Sequence, residues 1–189
     1  MNQLEPKALW TFFNEVCHVP RPSKKEEKIR LHLIKFAENR KLKYYIDKGG
    51  NLLIIKAATK GMENRKTVVL QSHLDMVCEK NSGIQHDFEN DPIPFYIEGE
   101  WIKSKGTTLG ADDGIGIAAQ MAVLDASDIS HGPVECLFTV DEETGLSGAF
   151  ALEKDFFQGK ILLNLDSEDE GEIFIGCAGG NDTTALFTY

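Results

Sequence analysis

Four short segments hold the residues whose types and spacing could do chemistry. Ser72-His73-Leu74-Asp75 follows an apolar run, and the two-residue period of a strand sends His73 and Asp75 to one side. The carboxylate can then accept a hydrogen bond from the imidazole, as the outer partners of metal-bound histidines do. Alone, such a pair is more often structural. Residues 106–116 present Asp112-Asp113 just before Gly114-Ile115-Gly116. Carboxylates at a helix start are stabilised by the helix dipole, by about 0.3–1 kcal/mol each, without any function. Gly114-x-Gly116-x-x-Ala119 imitates a dinucleotide fingerprint, but a pyrophosphate would meet Asp112 and Asp113 against like charge, whereas a cation would be attracted. Asp141-Glu142-Glu143-Thr144-Gly145 reads equally as a solvated turn or as carboxylates that divide labour, one on a metal and one carrying protons. Asn164-Leu165-Asp166 opens the fourth segment, which starts like a calcium loop but has Cys177 where the twelfth position needs glutamate. Asp166, directly after the apolar run, is expected to face inward, with Glu168, Asp169 and Glu170 in a solvated turn. One histidine with several carboxylates is a mixed nitrogen and oxygen set suited to zinc or another divalent transition metal.

Each segment needs an element to place it. Leu9, Phe12, Phe13 and Val16 recur at helical spacing after Pro6, which predicts a helix over residues 5–17. Ser23 with Glu26 reads as a capping box for a second helix to about residue 40, buried along Ile29, Leu33, Phe36 and Ala37. Residues 42–46 and 51–57 predict a hairpin around Lys48-Gly49-Gly50. The apolar runs at 67–71, 134–140 and 160–165 predict buried strands of an α/β sheet. Short strands are expected at 95–97 and 101–103, and a helix with the stripe Ile115, Ala118, Ala119, Ala122 and Val123. Residues 172–177 and 183–189 look β-like. All four chemical segments therefore follow a strand or open a helix, at the sheet edge where open α/β folds bind ligands.

The 189 residues are 42% apolar and 26% charged, which fits a globular domain and excludes disorder and collagen. Net charge is −10, but residues 1–66 carry +8 and residues 67–189 carry −18. An acidic surplus so placed argues against a nucleic-acid groove and favours bound cations. The basic charge of the second helix reads as a solvated face. The four cysteines form no Cys-x-x-Cys pair and read as reduced thiols. Neither a secretory signal nor an apolar stretch near the ~18 residues of a membrane helix is visible, so a soluble cytoplasmic protein is expected, with no membrane partner.

The strings Ser72-His73-Leu74-Asp75-Met76-Val77, Gly106 to Gly116, Asp141-Glu142-Glu143-Thr144-Gly145, Leu163-Asn164-Leu165-Asp166 and Gly176-Cys177-Ala178-Gly179-Gly180 occur in one order along the chain. In them the sequence resembles the co-catalytic zinc exopeptidases, and most closely the bacterial aminoacyl-histidine dipeptidases, also called Xaa-His dipeptidases or peptidase D. The resemblance implies an α/β catalytic domain with a mixed, largely parallel central sheet and helices on both faces. It implies two zinc ions, with manganese or cobalt as alternatives. His73 and Asp166 would ligate one zinc and Glu143 the other, Asp112 would bridge them, and a cis peptide would follow Asp112. Asp75 would orient His73, and Glu142 would be the general base for hydrolysis of a dipeptide substrate such as β-alanyl-histidine. A further histidine ligand is expected from a downstream segment. Residues 1–189 would then be the N-terminal part of the catalytic domain of a homodimeric protein, without its lid or dimerisation domain and inactive alone. Two rival readings are an N-acyl-amino-acid amidohydrolase on the same scaffold and a catalytically silent metal-binding or assembly domain.

Overall fold

A computed structural model describes residues 4–167, 169, 171–180 and 183–188. Glu168 and Glu170 of the expected acidic turn, and Tyr189 of the last expected strand, lie outside the described residues. The amphipathic patterns at the start of the chain become helices α1 (Lys7–Cys17) and α2 (Glu27–Asn39). Their apolar faces supply Phe12, Phe13, Val16, Ile29, Leu33 and Phe36 to the main core. The hairpin forms from β1 (Lys43–Ile46) and β2 (Leu52–Lys56), and Gly50, at φ +91°, takes the left-handed conformation that the turn requires. Three further strands complete a five-stranded sheet: β3 (Val68–His73), β6 (Val134–Thr139) and β7 (Ile161–Asn164), in the order β1-β2-β6-β3-β7. Between β3 and β6 the chain makes a separate hairpin of β4 (Phe95–Glu98) and β5 (Trp101–Ser104), then helix α3 (Ala111–Asp125).

Strand β3 pairs in parallel with β6 and β7, while β1–β2 and β2–β6 are antiparallel, so the sheet is mixed. The helices α1, α2 and α3 share one core with one face of this sheet. On the other face Leu53, Val69 and Leu137 are covered by Leu152, Phe156 and Phe157, from the loop after the short helix α4 (Ser147–Phe150).

Several expectations change. In α3 the buried apolar side chains are Ile117, Ala118, Met121 and Leu124, with Ile115, Ala119, Ala122 and Val123 half-buried. The helix lies against α1 as well as the sheet and is apolar nearly all round, so a single stripe does not describe it. Strand β7 is not buried: Ile161, Leu162 and Leu163 are exposed, because β7 is the edge strand of the described sheet. Among the described residues, 172–177 and 183–188 form no strand. The Ser23–Glu26 capping box is absent too. Helix α2 begins at Glu27 without a side-chain cap, and the Glu26 carboxylate instead accepts hydrogen bonds from the amides of Lys24 at 2.8 Å and Asp141 at 3.0 Å.

Candidate metal centre

Parallel pairing puts the ends of β3, β6 and β7 at one edge of the sheet. The register pairs His73 with Thr139 and Gln71 with Asn164, so Asp141–Glu143 and Asp166 emerge beside the His73–Asp75 turn. Asp112 and Asp113 reach the same place from the front of α3. Gly110 lies in the left-handed region at φ +68°, Asp112 and Asp113 are non-helical, and the peptide between them is cis.

The six residues singled out by motif come together there. His73, 1% exposed, has Nδ1 at 3.2 Å from Asp75 Oδ1 and Nε2 at 2.9 Å from Asp112 Oδ1 and 3.9 Å from Asp166 Oδ1. Asp75, fully buried, also accepts the amide of Glu142 on Oδ1 at 3.0 Å and that of Glu143 on Oδ2 at 3.2 Å. One carboxylate thus fixes both the imidazole ring and the backbone of the Glu142-Glu143 turn.

The cluster perturbs its own ionisation. Burial opposes a charged His73, but hydrogen bonds to Asp75 and Asp112 and the charge of Asp166 outweigh it and raise the imidazole to about 9. Burial likewise opposes the Asp75 carboxylate, yet the His73 ring, the Glu142 and Glu143 amides and the Ser23 hydroxyl hold it down at about 2. Glu142 moves upward, first through burial and then through the neighbouring Asp166, Glu143 and Asp75. Glu143 moves upward as well, through burial and the charge of Asp112.

Two acids matter more than their motifs suggested. Asp113 is 1% exposed, its Oδ1 accepts the Gly116 amide at 3.1 Å, and its Oδ2 is buried with no hydrogen-bond partner. Burial raises this carboxyl to about 7. The sequence carries a trace of it in Gly116, where a Cβ would collide with the Asp113 carboxylate. Asp141, at φ +49° and buried, accepts the hydroxyls of Thr144 and Ser147 and so folds the turn that displays Glu142 and Glu143. Nothing in a run of three adjacent acids distinguishes the one that turns inward to shape the loop from the two that face the site.

Donor atoms of His73, Asp113 and Asp166 lie within 4.8 Å of one another, as do those of His73, Glu142 and Glu143. A buried imidazole nitrogen among carboxylate oxygens, one of them unpartnered, fits a divalent transition metal better than calcium or magnesium, which prefer oxygen alone.

Comparison with known proteins agrees with this fold. No protein-family model matches the chain. It is 51% identical over 185 residues to the cytosol non-specific dipeptidase of Escherichia coli K12, covering 98% of this chain and 38% of that protein. Its fold superposes on the aminoacylhistidine dipeptidase of Vibrio alginolyticus with a TM-score of 0.88 and 52% identity, covering 90% of this chain and 35% of that one. A more distant match is the aminopeptidase PepT of Bacillus cereus, at a TM-score of 0.73 and 30% identity over 86% of this chain and 44% of that one. The chain therefore spans between a third and a half of the length of these relatives. Within that span, both the sequence and the fold are similar to those of the cytosol non-specific and aminoacylhistidine dipeptidases.

Proposed function

We infer that the protein carrying this chain is a zinc-dependent dipeptidase acting on Xaa-His dipeptides, β-alanyl-histidine among them. One observation supports this most: a buried imidazole is oriented by a buried carboxylate, and the same carboxylate anchors the turn that bears two more acids. In this reading His73, Asp112, Glu143 and Asp166 would hold the metal, together with a histidine from a downstream segment. Asp113, with its unpartnered oxygen, is a further donor at the same place. Bound zinc would supply Lewis acidity, polarising the scissile carbonyl and making water acidic enough to deprotonate near neutral pH. Glu142 takes the proton of the attacking water as the C–O bond forms and returns it to the leaving amine as the C–N bond breaks. Asp75 keeps the His73 ring in place throughout.

The 189 residues would be part of the catalytic domain, inactive alone, of a cytoplasmic homodimer. Among the described residues no helix is long and apolar enough to cross a membrane. The test is hydrolysis by the full-length protein of an Xaa-His dipeptide beside an N-acyl amino acid, before and after chelation and on return of zinc. Zinc-restored cleavage of the dipeptide alone is expected. Cleavage only of the acylated amino acid would favour the amidohydrolase, and zinc binding without either activity would favour a silent domain. His73→Ala should lower zinc content after dialysis, and unchanged content would remove His73 from the ligands.

The pKa shifts give the metal-stripped protein a distinctive pH dependence. Asp113 and His73 both bind more protons folded than unfolded, so their contributions fall as pH rises. The loss runs from about pH 4 to 7 for Asp113 and from about 6.5 to 9 for His73. Asp75 has the opposite sign: its contribution is present above about pH 4 and fades as pH drops toward 2. Urea unfolding of chelator-treated protein at pH 5, 7 and 9 should show a midpoint that falls at each step. Asp113→Asn should flatten the first step and leave the second. A midpoint that climbs from pH 5 to 9 would contradict the arrangement.

A further inference from the structure

The loop between α1 and α2 touches three of the four turns that form the candidate centre. Arg21, 3% exposed, projects from it into the protein. Its Nη1 donates to the carbonyl of Leu74 at 3.1 Å and to that of Asp75, and its Nη2 donates to the carbonyl of Gly110. The first two belong to the turn after His73 and the third to the turn before Asp112. The Ser23 hydroxyl sits close enough to the Asp75 carboxylate to favour its charged form. Glu26, 6% exposed, accepts the amide of Asp141, where the Glu142-Glu143 turn begins. Pro22 forms a parallel bridge with Met76, which keeps the loop alongside the first of these turns.

The packing leaves a slot for this guanidinium. A Cβ on Gly110 or on Gly114 would fall 2.7 Å from Arg21 Nη2. A buried cation is tolerated only where its donors are met. Here the planar fork meets carbonyls on two separate turns, and its fixed donor directions set the distance between those turns. A lysine ammonium carries the same charge without that directional fork and would not fix both turns.

We propose that residues 21–26 form a positioning loop for the metal centre, in which Arg21 sets the His73–Asp75 turn against the Asp112 turn while Ser23 and Glu26 tie in Asp75 and Asp141. The role rests on the metal-dependent reading given above. These residues reach the centre only through other groups, so they tune ligand placement and take no part in proton transfer. Outer partners of metal ligands commonly change metal affinity about 10–100-fold when removed.

The test compares full-length wild type with Arg21→Lys and Ser23→Ala. Cobalt(II) and zinc affinities are measured by chelator competition, the visible absorption of the cobalt form is recorded, and urea midpoints are taken on stripped protein. Arg21→Lys should bind both metals at least about tenfold more weakly and show an altered cobalt spectrum. Ser23→Ala should move both readouts the same way by less, with its stripped-state midpoint nearly unchanged. If Arg21→Lys does not fold, Ser23→Ala decides by the same two readouts. Wild-type affinity and an unchanged spectrum in the folded variants would overturn the proposal, even if the midpoint drops, because a purely structural brace would lower only the midpoint. Wild-type protein that takes up neither metal would overturn the metal reading itself, and the positioning role with it.

Discussion

Glu142→Gln is expected to lower dipeptide turnover by about 10²–10⁴-fold in the full-length protein while zinc content stays at the wild-type level. Glutamine keeps the size of the side chain and its ability to accept a hydrogen bond, but it cannot take a proton from water. The backbone of the turn should not respond, because it is held by main-chain groups: the Glu142 and Glu143 amides donate to Asp75, and the Asp141 amide donates to Glu26. The adjacent Glu143 serves as the control. Glu143→Gln removes one of the oxygens assigned to a metal, so it should reduce zinc content together with turnover. Burial first, and then Asp166, Glu143 and Asp75, raise the pKa of Glu142 in the direction that suits a base, but Glu143 shifts the same way, so zinc content is the readout that separates the two. Zinc content and initial rate on a single Xaa-His dipeptide check both variants. Full turnover in Glu142→Gln, or zinc lost from it and kept by Glu143→Gln, would reverse the assignment.

What could be read from the residues and what could not divides along physical lines. Periodicity located α1, α2, the β1–β2 hairpin and β3, because each buries one face or one run and repeats its signal several times. It misplaced the buried side of α3, since a helix packed on both α1 and the sheet has no polar face to mark its orientation. It also read the apolar run of β7 as burial. Apolar composition shows that a strand suits a covered position, and what covers Leu162 and Leu163 is a property of neighbours that the run itself does not specify. The candidate site was legible where side-chain type met strand period, as at His73 and Asp75. It was illegible where a side chain acts across the sequence. Ser23 and Glu26 have the spacing of a helix cap, yet they serve Asp75 and Asp141, more than 50 and 110 residues away in the chain. Arg21 likewise looks like any basic residue in a Pro-Arg-Pro turn until the fold brings Gly110 against it.

Asn51→Ala should be the most destabilising single change outside the site. Asn51 is completely buried between the hairpin and the turn that carries Glu142 and Glu143. Its Nδ2 donates to Asp47 Oδ2 at 2.8 Å and to the Gly148 carbonyl at 2.9 Å, and its Oδ1 accepts the Val140 amide at 3.1 Å. Alanine keeps the bonds of the residue 51 main chain, whose amide donates to Asp47 Oδ1 and whose carbonyl accepts the Asp47 amide. It strips three groups of a partner at once, one of them on the buried carboxylate of Asp47. Water has little room to replace the amide, because Gly148 packs so closely that a Cβ there would run into the Val140 carbonyl and lie 2.7 Å from Asn51 Oδ1. A buried group left without its partner costs about 1–3 kcal/mol, so the loss of three partners should come to at least about 3 kcal/mol out of a typical total of about 5–15 kcal/mol. Urea unfolding should register it in stripped and zinc-loaded protein alike, since none of the three bonds involves a metal ligand. Hydrogen exchange adds a local readout, because the Val140 amide should exchange faster in the variant than the amides of β1. A loss below about 1 kcal/mol would mean that the turn finds other partners. Glu142 and Glu143 would then be held from the Asp75 and Glu26 side alone.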